Sequence, residues 1–206
     1  MGDLLPNVGR RVYPVGRLDA DSRGLVLLTN DGELTDLLTH PSHQVSKTYE
    51  VEVDGLLSAD EAQKLVAGVW LSEGRTSPAR VKVLRRAGNR TLLEITLREG
   101  RNRQVRRMLA RLGHKVRSLT RTRLGSISIR GLGVGKFRQL TDDEVESLRR
   151  AASAKPEKSE KPHPKKRRSS AKSRPPAAQG DKKPRAAKRK TPPDEARGGD
   201  EFDVTL

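Results

Sequence analysis

Cysteine is absent from the 206 residues, which removes disulfides, thiolate zinc sites and cysteine nucleophiles together and fits a reducing compartment. Aromatic residues make up only 2% of the chain, too few for the broad stacking platform that single-strand nucleic-acid binders use. No apolar run approaches the roughly 20 residues a membrane span needs, and the first residues show no signal-peptide core. A soluble, cytoplasmic protein without membrane contacts is expected. Positive charge, in contrast, is abundant. The chain carries 43 Lys and Arg against 26 Asp and Glu, a net charge of +17 and a pI near 10.8. Such a balance points to a polyanionic partner, with nucleic acid the first choice.

Composition shifts at about Lys155. The stretch KPEKSEKPHPKKRRSSAKSRPPAAQGDKKPRAAKRK has almost nothing to bury, so residues 155–206 read as a disordered basic tail. The tail carries +8 and residues 1–154 carry +9, so the charge belongs to both parts. Within 1–154, strand-like runs stand at GLVLLT (24–29), KTYEVEV (47–53), ARVKVLR (79–85), TLLEITL (91–97) and KVRSLTRTRL (115–124). Helices fall between them. Ser58 with Glu61 and Thr141 with Glu144 have capping-box spacing, and Asn30 or Asp31 is placed to cap a helix reaching about Thr39. The alternation predicts one α+β domain with a mixed or mainly antiparallel sheet and flanking helices.

Several motifs imitate known sites. Asp19, Asp21 and Gly24 occupy the first, third and sixth positions of a calcium loop, but Arg23 and Asn30 stand where further ligands belong, and a strand follows Gly24. GLGVGKF (131–137) lacks the first glycine and the final Ser or Thr of a phosphate loop, having Arg130 and Phe137 instead. His40 and His43 flank Pro41 without a partner cluster, and read as a loop rather than a metal site. No metal and no cofactor is expected.

EGRNRQVRRMLARLGH (99–114) carries more information. On a helical wheel Val105, Met108, Leu109 and Leu112 form an apolar stripe and Gly113 suits the C-terminal stop. Arg103 and Arg107 point away from that stripe, whereas Arg106 lies at its flank and needs a carboxylate or phosphate. In KTYEVEV, Tyr49 shares a strand face with Val51 and Val53, as a core residue or as a ring at the edge of a cleft.

GRLDADSRGLVLLTNDGEL, KTYEVEV and EGRNRQVRRML, in this order, resemble the RsuA/RluB-type ribosomal RNA pseudouridine synthases over about residues 3–150. The resemblance implies that uridine in RNA is isomerised: the glycosidic bond breaks, the uracil turns, and its carbon 5 joins the ribose. It assigns the catalytic role to Asp19, which either attacks the anomeric carbon or abstracts a proton from the neighbouring ribose carbon. By the same resemblance Arg106 holds that carboxylate ionised and aligned, and Tyr49 stacks on a base flipped from its helix. Arg17, Arg101, Asn102, Arg103 and Arg107 are the expected RNA contacts, the substrate is ribosomal RNA with 23S favoured, and the protein is expected to act as a monomer. Asp21 and Asp31 have sufficient readings in a turn and a helix cap.

Family members begin with a small RNA-binding domain of the ribosomal-protein S-four type and a catalytic stretch containing Lys-Pro. This chain opens at MGDLLPNVGRRVYPVGRLD, so the catalytic domain is expected to be incomplete at its N-terminus. The competing reading is a catalytically idle RNA-binding or ribosome-assembly protein that keeps the fold. The intact Asp19, Tyr49 and Arg106 speak against it.

Overall fold

A computed structural model describes residues 11–153; the proposed tail lies outside the described residues. The chain runs through β1 (Tyr13–Val15), β2 (Arg23–Gly24), β3 (Leu27–Thr29), α1 (Gly32–Thr39), β4 (Lys47–Asp54) and α2 (Ala59–Ala67). It continues through β5 (Trp70–Leu71), β6 (Gly74–Arg75), β7 (Arg80–Ala87), β8 (Arg90–Leu97), α3 (Gln104–Arg111), β9 (Val116–Leu124), β10 (Ile127–Ser128) and α4 (Asp142–Ser153). All five strand-like runs become strands. GLVLLT is split, because Leu25 and Val26 separate the short β2 and β3.

The main sheet has the order β10-β9-β4-β8-β7, and β2 adds to β9 in parallel at Thr120 and Arg121. All other pairings are antiparallel, so the sheet is mixed as the alternation predicts. In β8 burial alternates strictly, with Thr91, Leu93, Ile95 and Leu97 inward, the period-two pattern of a strand covered on one face. A first core forms where Val51, Val53, Leu93 and Ile95 meet Val105, Met108 and Leu109 of α3 and Leu65 of α2. Burying each such side chain is worth about 1.5–3 kcal/mol. A second core gathers Val15, Leu27, Leu34, Leu38, Leu124 and Leu148 from β1, β3, α1, β9 and α4.

Helix ends follow local chemistry. The Asp31 carboxylate accepts the Leu34 N–H at 3.0 Å and also takes Arg149 from α4. Ser58 and Glu61 close a reciprocal capping box at α2. Thr141 and Glu144 do the same before α4, at 3.0 and 3.3 Å. His40 caps and His43 ends a single 3-10 turn, the first bonded to Ser42 and the second to the Ala152 carbonyl.

Candidate active site

Asp19 lies in the loop 16–22 between β1 and β2. The chain leaves the second core at Val15 and returns to it at Leu25, and the turn between is closed by the Ser22 N–H donating to the Asp19 carbonyl at 2.9 Å. Gly24 then passes so close to β9 that an added Cβ would stand 2.3 Å from the Arg121 carbonyl oxygen. Its φ of +111° is one that residues with side chains rarely adopt.

Arg121 fastens this loop from below. Only 3% exposed, it donates from Nε to the Leu25 carbonyl at 2.8 Å and from Nη1 to the Arg17 carbonyl at 3.3 Å. One guanidinium therefore brackets Asp19 on both sides. Its Nη2 finds no partner among the described residues, and no carboxylate there pairs with it. Sequence reasoning missed Arg121, although an arginine at an inward position of β9, two residues after the buried Leu119, is a readable signal: a buried guanidinium must be tied to something.

The arginines of the 99–114 segment are distributed differently from expectation. Arg106 does not hold Asp19. Its Nη2 donates to the Asp21 carbonyl at 2.7 Å, its Nε stands 3.3 Å from the Asp21 carboxylate, and its Nη1 reaches the Val116 carbonyl at 3.4 Å. Arg103 instead approaches Asp19, at 3.9 Å, while gripping Asp21 through two bonds of 2.9 Å. The reason is that Arg103 precedes α3 with a left-handed backbone, φ 46°, which carries its side chain over the Asp19 loop. Asp21 is thus more than a turn residue. The hydrogen bond from Arg103 holds its carboxyl below the usual carboxylate range, against a smaller opposing effect of desolvation.

Asp19, Tyr49, Arg17, Leu18, Ser22 and Arg103 line one small cleft of about 90 Å³, floored by Leu97, Val105 and Leu119 of the first core. Tyr49 is half-buried at a register shift between β4 and β9, and such a bulge re-aims a side chain. Tyr49 therefore has both characters expected of it, packed against the first core and bordering the cleft. Arg17 borders it too. Asn102 is exposed in the preceding loop. Arg101 and Arg107 turn away from the cleft: Arg101 donates to the Gly74 and Arg75 carbonyls at 2.8 and 2.7 Å, and Arg107 pairs with Glu73. Gln104, buried at the head of α3, accepts the Arg101 N–H at 3.0 Å and donates to Glu99. It was not foreseen, though it extends the apolar stripe one turn back from Met108. Near the cleft, burial and then the charge of Arg121 hold the Lys47 ammonium below its ordinary value.

The family model described as RNA pseudouridylate synthase matches residues 3–111. The chain is 43% identical over 152 residues to ribosomal large subunit pseudouridine synthase B of Bacillus subtilis, covering 73% of this chain and 62% of the relative. It is 43% identical to ribosomal large subunit pseudouridine synthase E of Vibrio parahaemolyticus, covering 68% and 64%. It is also 41% identical to ribosomal small subunit pseudouridine synthase A of Vibrio vulnificus, covering 65% and 58%. The chain thus spans about three fifths of the length of the curated relatives it matches. A crystal structure of a pseudouridylate synthase superposes with a TM-score of 0.61 at 36% identity, covering 66% of this chain and 59% of that one. By its three ordered motifs, its mixed sheet and these likenesses, the chain belongs to the RNA pseudouridylate synthase family.

Proposed function

We propose that the chain converts a uridine of ribosomal RNA to pseudouridine, with Asp19 as the catalytic carboxylate. The observation that carries this reading is that Asp19 and Tyr49, from separate elements, border one cleft whose surroundings are rich in arginine. The target nucleotide is flipped from its stack into that cleft and its base lies against Tyr49. Asp19 acts on the ribose, by attack at the anomeric carbon or by removal of the proton on the adjacent carbon. The bond from N1 breaks, the uracil rotates, and carbon 5 forms the new bond to the ribose. The carbon 5 proton leaves and N1 ends protonated, so no redox partner is consumed. Large-subunit RNA is the favoured substrate, in keeping with the names of the relatives in Bacillus subtilis and Vibrio parahaemolyticus, and the enzyme works in the cytoplasm as a monomer. Incubation of the full chain with rRNA fragments, followed by pseudouridine mapping, tests the reading. Formation of pseudouridine supports it, and RNA that binds without any conversion favours the idle binder instead.

Arg103 and Arg106 hold Asp21, two residues from Asp19, so the loop geometry depends on them. Arg106→Lys is expected to lower single-turnover rate on the order of 10- to 100-fold, because an ammonium cannot reach the Asp21 carbonyl, its carboxylate and the Val116 carbonyl together. Arg107→Lys touches only the exposed pair with Glu73 and should change the rate by less than about twofold. Equal effects would show that Arg106 does not support the loop.

A further inference from the structure

Trp70, the single tryptophan of the chain, is 67% exposed at the start of a two-residue hairpin strand. That exposure is not a consequence of a loose segment. Trp70 is paired in register with Arg75, and the base of the hairpin is closed by Val69 and Thr76, which exchange bonds of 2.9 Å through the buried Thr76 hydroxyl and backbone. Its tip is held by Arg101 and by the Arg107–Glu73 pair. An aromatic ring is therefore presented to solvent on a rigid mount. The mount is built from the same short segment, 101–107, whose Arg103 reaches Asp19.

We propose that Trp70 is a stacking platform for one unpaired nucleobase of the RNA that enters the Asp19 cleft, an inference that rests on the chain's being an RNA-acting enzyme. The surroundings select the partner. Ser72, Glu73 and Arg75 of the same hairpin are exposed and polar, a setting unlike the contiguous apolar patch of a few hundred Å² that a protein partner covers. A lone ring beside the exposed Arg75 suits a base with its phosphate alongside, since every base offers a π-face and the stacking is tolerant of sequence. The scarcity of aromatics excludes a broad platform but leaves room for a single base. The hairpin clamp also gives Arg101 a role in RNA binding without contact: it helps to fix the ring that makes it.

Because Trp70 is the only tryptophan, its emission reports on this site alone. In the free full-length chain it should be fully open to acrylamide quenching. Titration with an unstructured RNA of about 12 nucleotides should quench the emission and protect it from acrylamide, whereas an abasic ribose-phosphate strand of equal length should bind without doing so. Trp70→Ala should weaken binding of the base-bearing RNA about tenfold and leave the abasic strand unaffected, with melting temperature unchanged. Trp70→Phe should restore most of the affinity. Emission that does not respond in a complex detected by anisotropy, equal responses to the two strands, or a ring already shielded in the free chain by another segment or a protein would overturn the proposal. Pseudouridine formation by the unaltered chain is scored separately. Conversion with an indifferent Trp70→Ala sinks only the stacking site, stacking without conversion sinks only the isomerase reading, and failure to bind RNA sinks both.

Discussion

Asp19→Asn should abolish conversion of uridine, lowering the single-turnover rate by more than about 10³-fold, the scale on which loss of a group acting on the reacting bond is felt. The amide keeps the shape of the side chain but can neither attack as a carboxylate nor take a proton from the ribose. The fold should be indifferent to the change, because Asp19 is 30% exposed and its only ion pair among the described residues is the 3.9 Å approach of Arg103, a contact of little worth at a surface. RNA affinity should stay within about twofold, since affinity resides in phosphate contacts with the many arginines. An Asp19→Asn protein that still makes pseudouridine would remove the proposed chemistry. One that loses RNA binding as well would make Asp19 a structural residue.

Gly24→Ala is expected to be among the most damaging small substitutions in the described residues. Its new methyl carbon would meet the Arg121 carbonyl oxygen at 2.3 Å and the Arg121 nitrogen at 2.6 Å, so β2 and β9 must separate. The backbone would also be strained at φ +111°. A loss of about 2–4 kcal/mol follows from strain and clash together. Gly88→Ala is the control. It also has positive φ, 53°, but nothing lies within 4 Å of its Cβ, and it should cost no more than about 1 kcal/mol. The activity of Gly24→Ala should fall further than its melting temperature explains, because moving β2 breaks the seat of Arg121 on either side of Asp19. Thermal denaturation with single-turnover assays at a temperature where both variants are folded checks this. A stable, active Gly24→Ala protein would mean that the close approach does not hold the catalytic loop.

Much of this architecture was legible because its causes are local. Alternation in TLLEITL, the capping pairs Ser58–Glu61 and Thr141–Glu144, and Asp31 ahead of α1 each depend on neighbours a few residues away. The hairpin of β5 and β6 was not legible. Its strands are two residues long and show no period, and beyond the Val69–Thr76 closure they are held by arginines from 26 to 34 residues later. That Arg106 meets Asp21 rather than Asp19, and that Asp21 is held by arginines at all, was not legible for the same reason. A helical wheel gives directions within α3 but cannot show that Arg103 lies just before it, in a left-handed conformation that sends its side chain to Asp19 and Asp21. Arg121 was readable as an oddity, a charge where β9 turns inward, but its bonds to Arg17 and Leu25 span 104 and 96 residues.

The Asp19 loop begins and ends in one core, while Tyr49 and the floor of the cleft belong to the other. Chemistry and grip are therefore housed in separable parts. Small domains open piecemeal, and units with fewer buried contacts open first. Should the core of β1, β3, α1 and α4 loosen while the large sheet stays closed, the carboxylate swings away but the basic residues of α3 and β7 remain. Under mild heat or denaturant the protein would then pass through a stage in which it occupies its RNA without altering it, shielding the site from intact copies of itself.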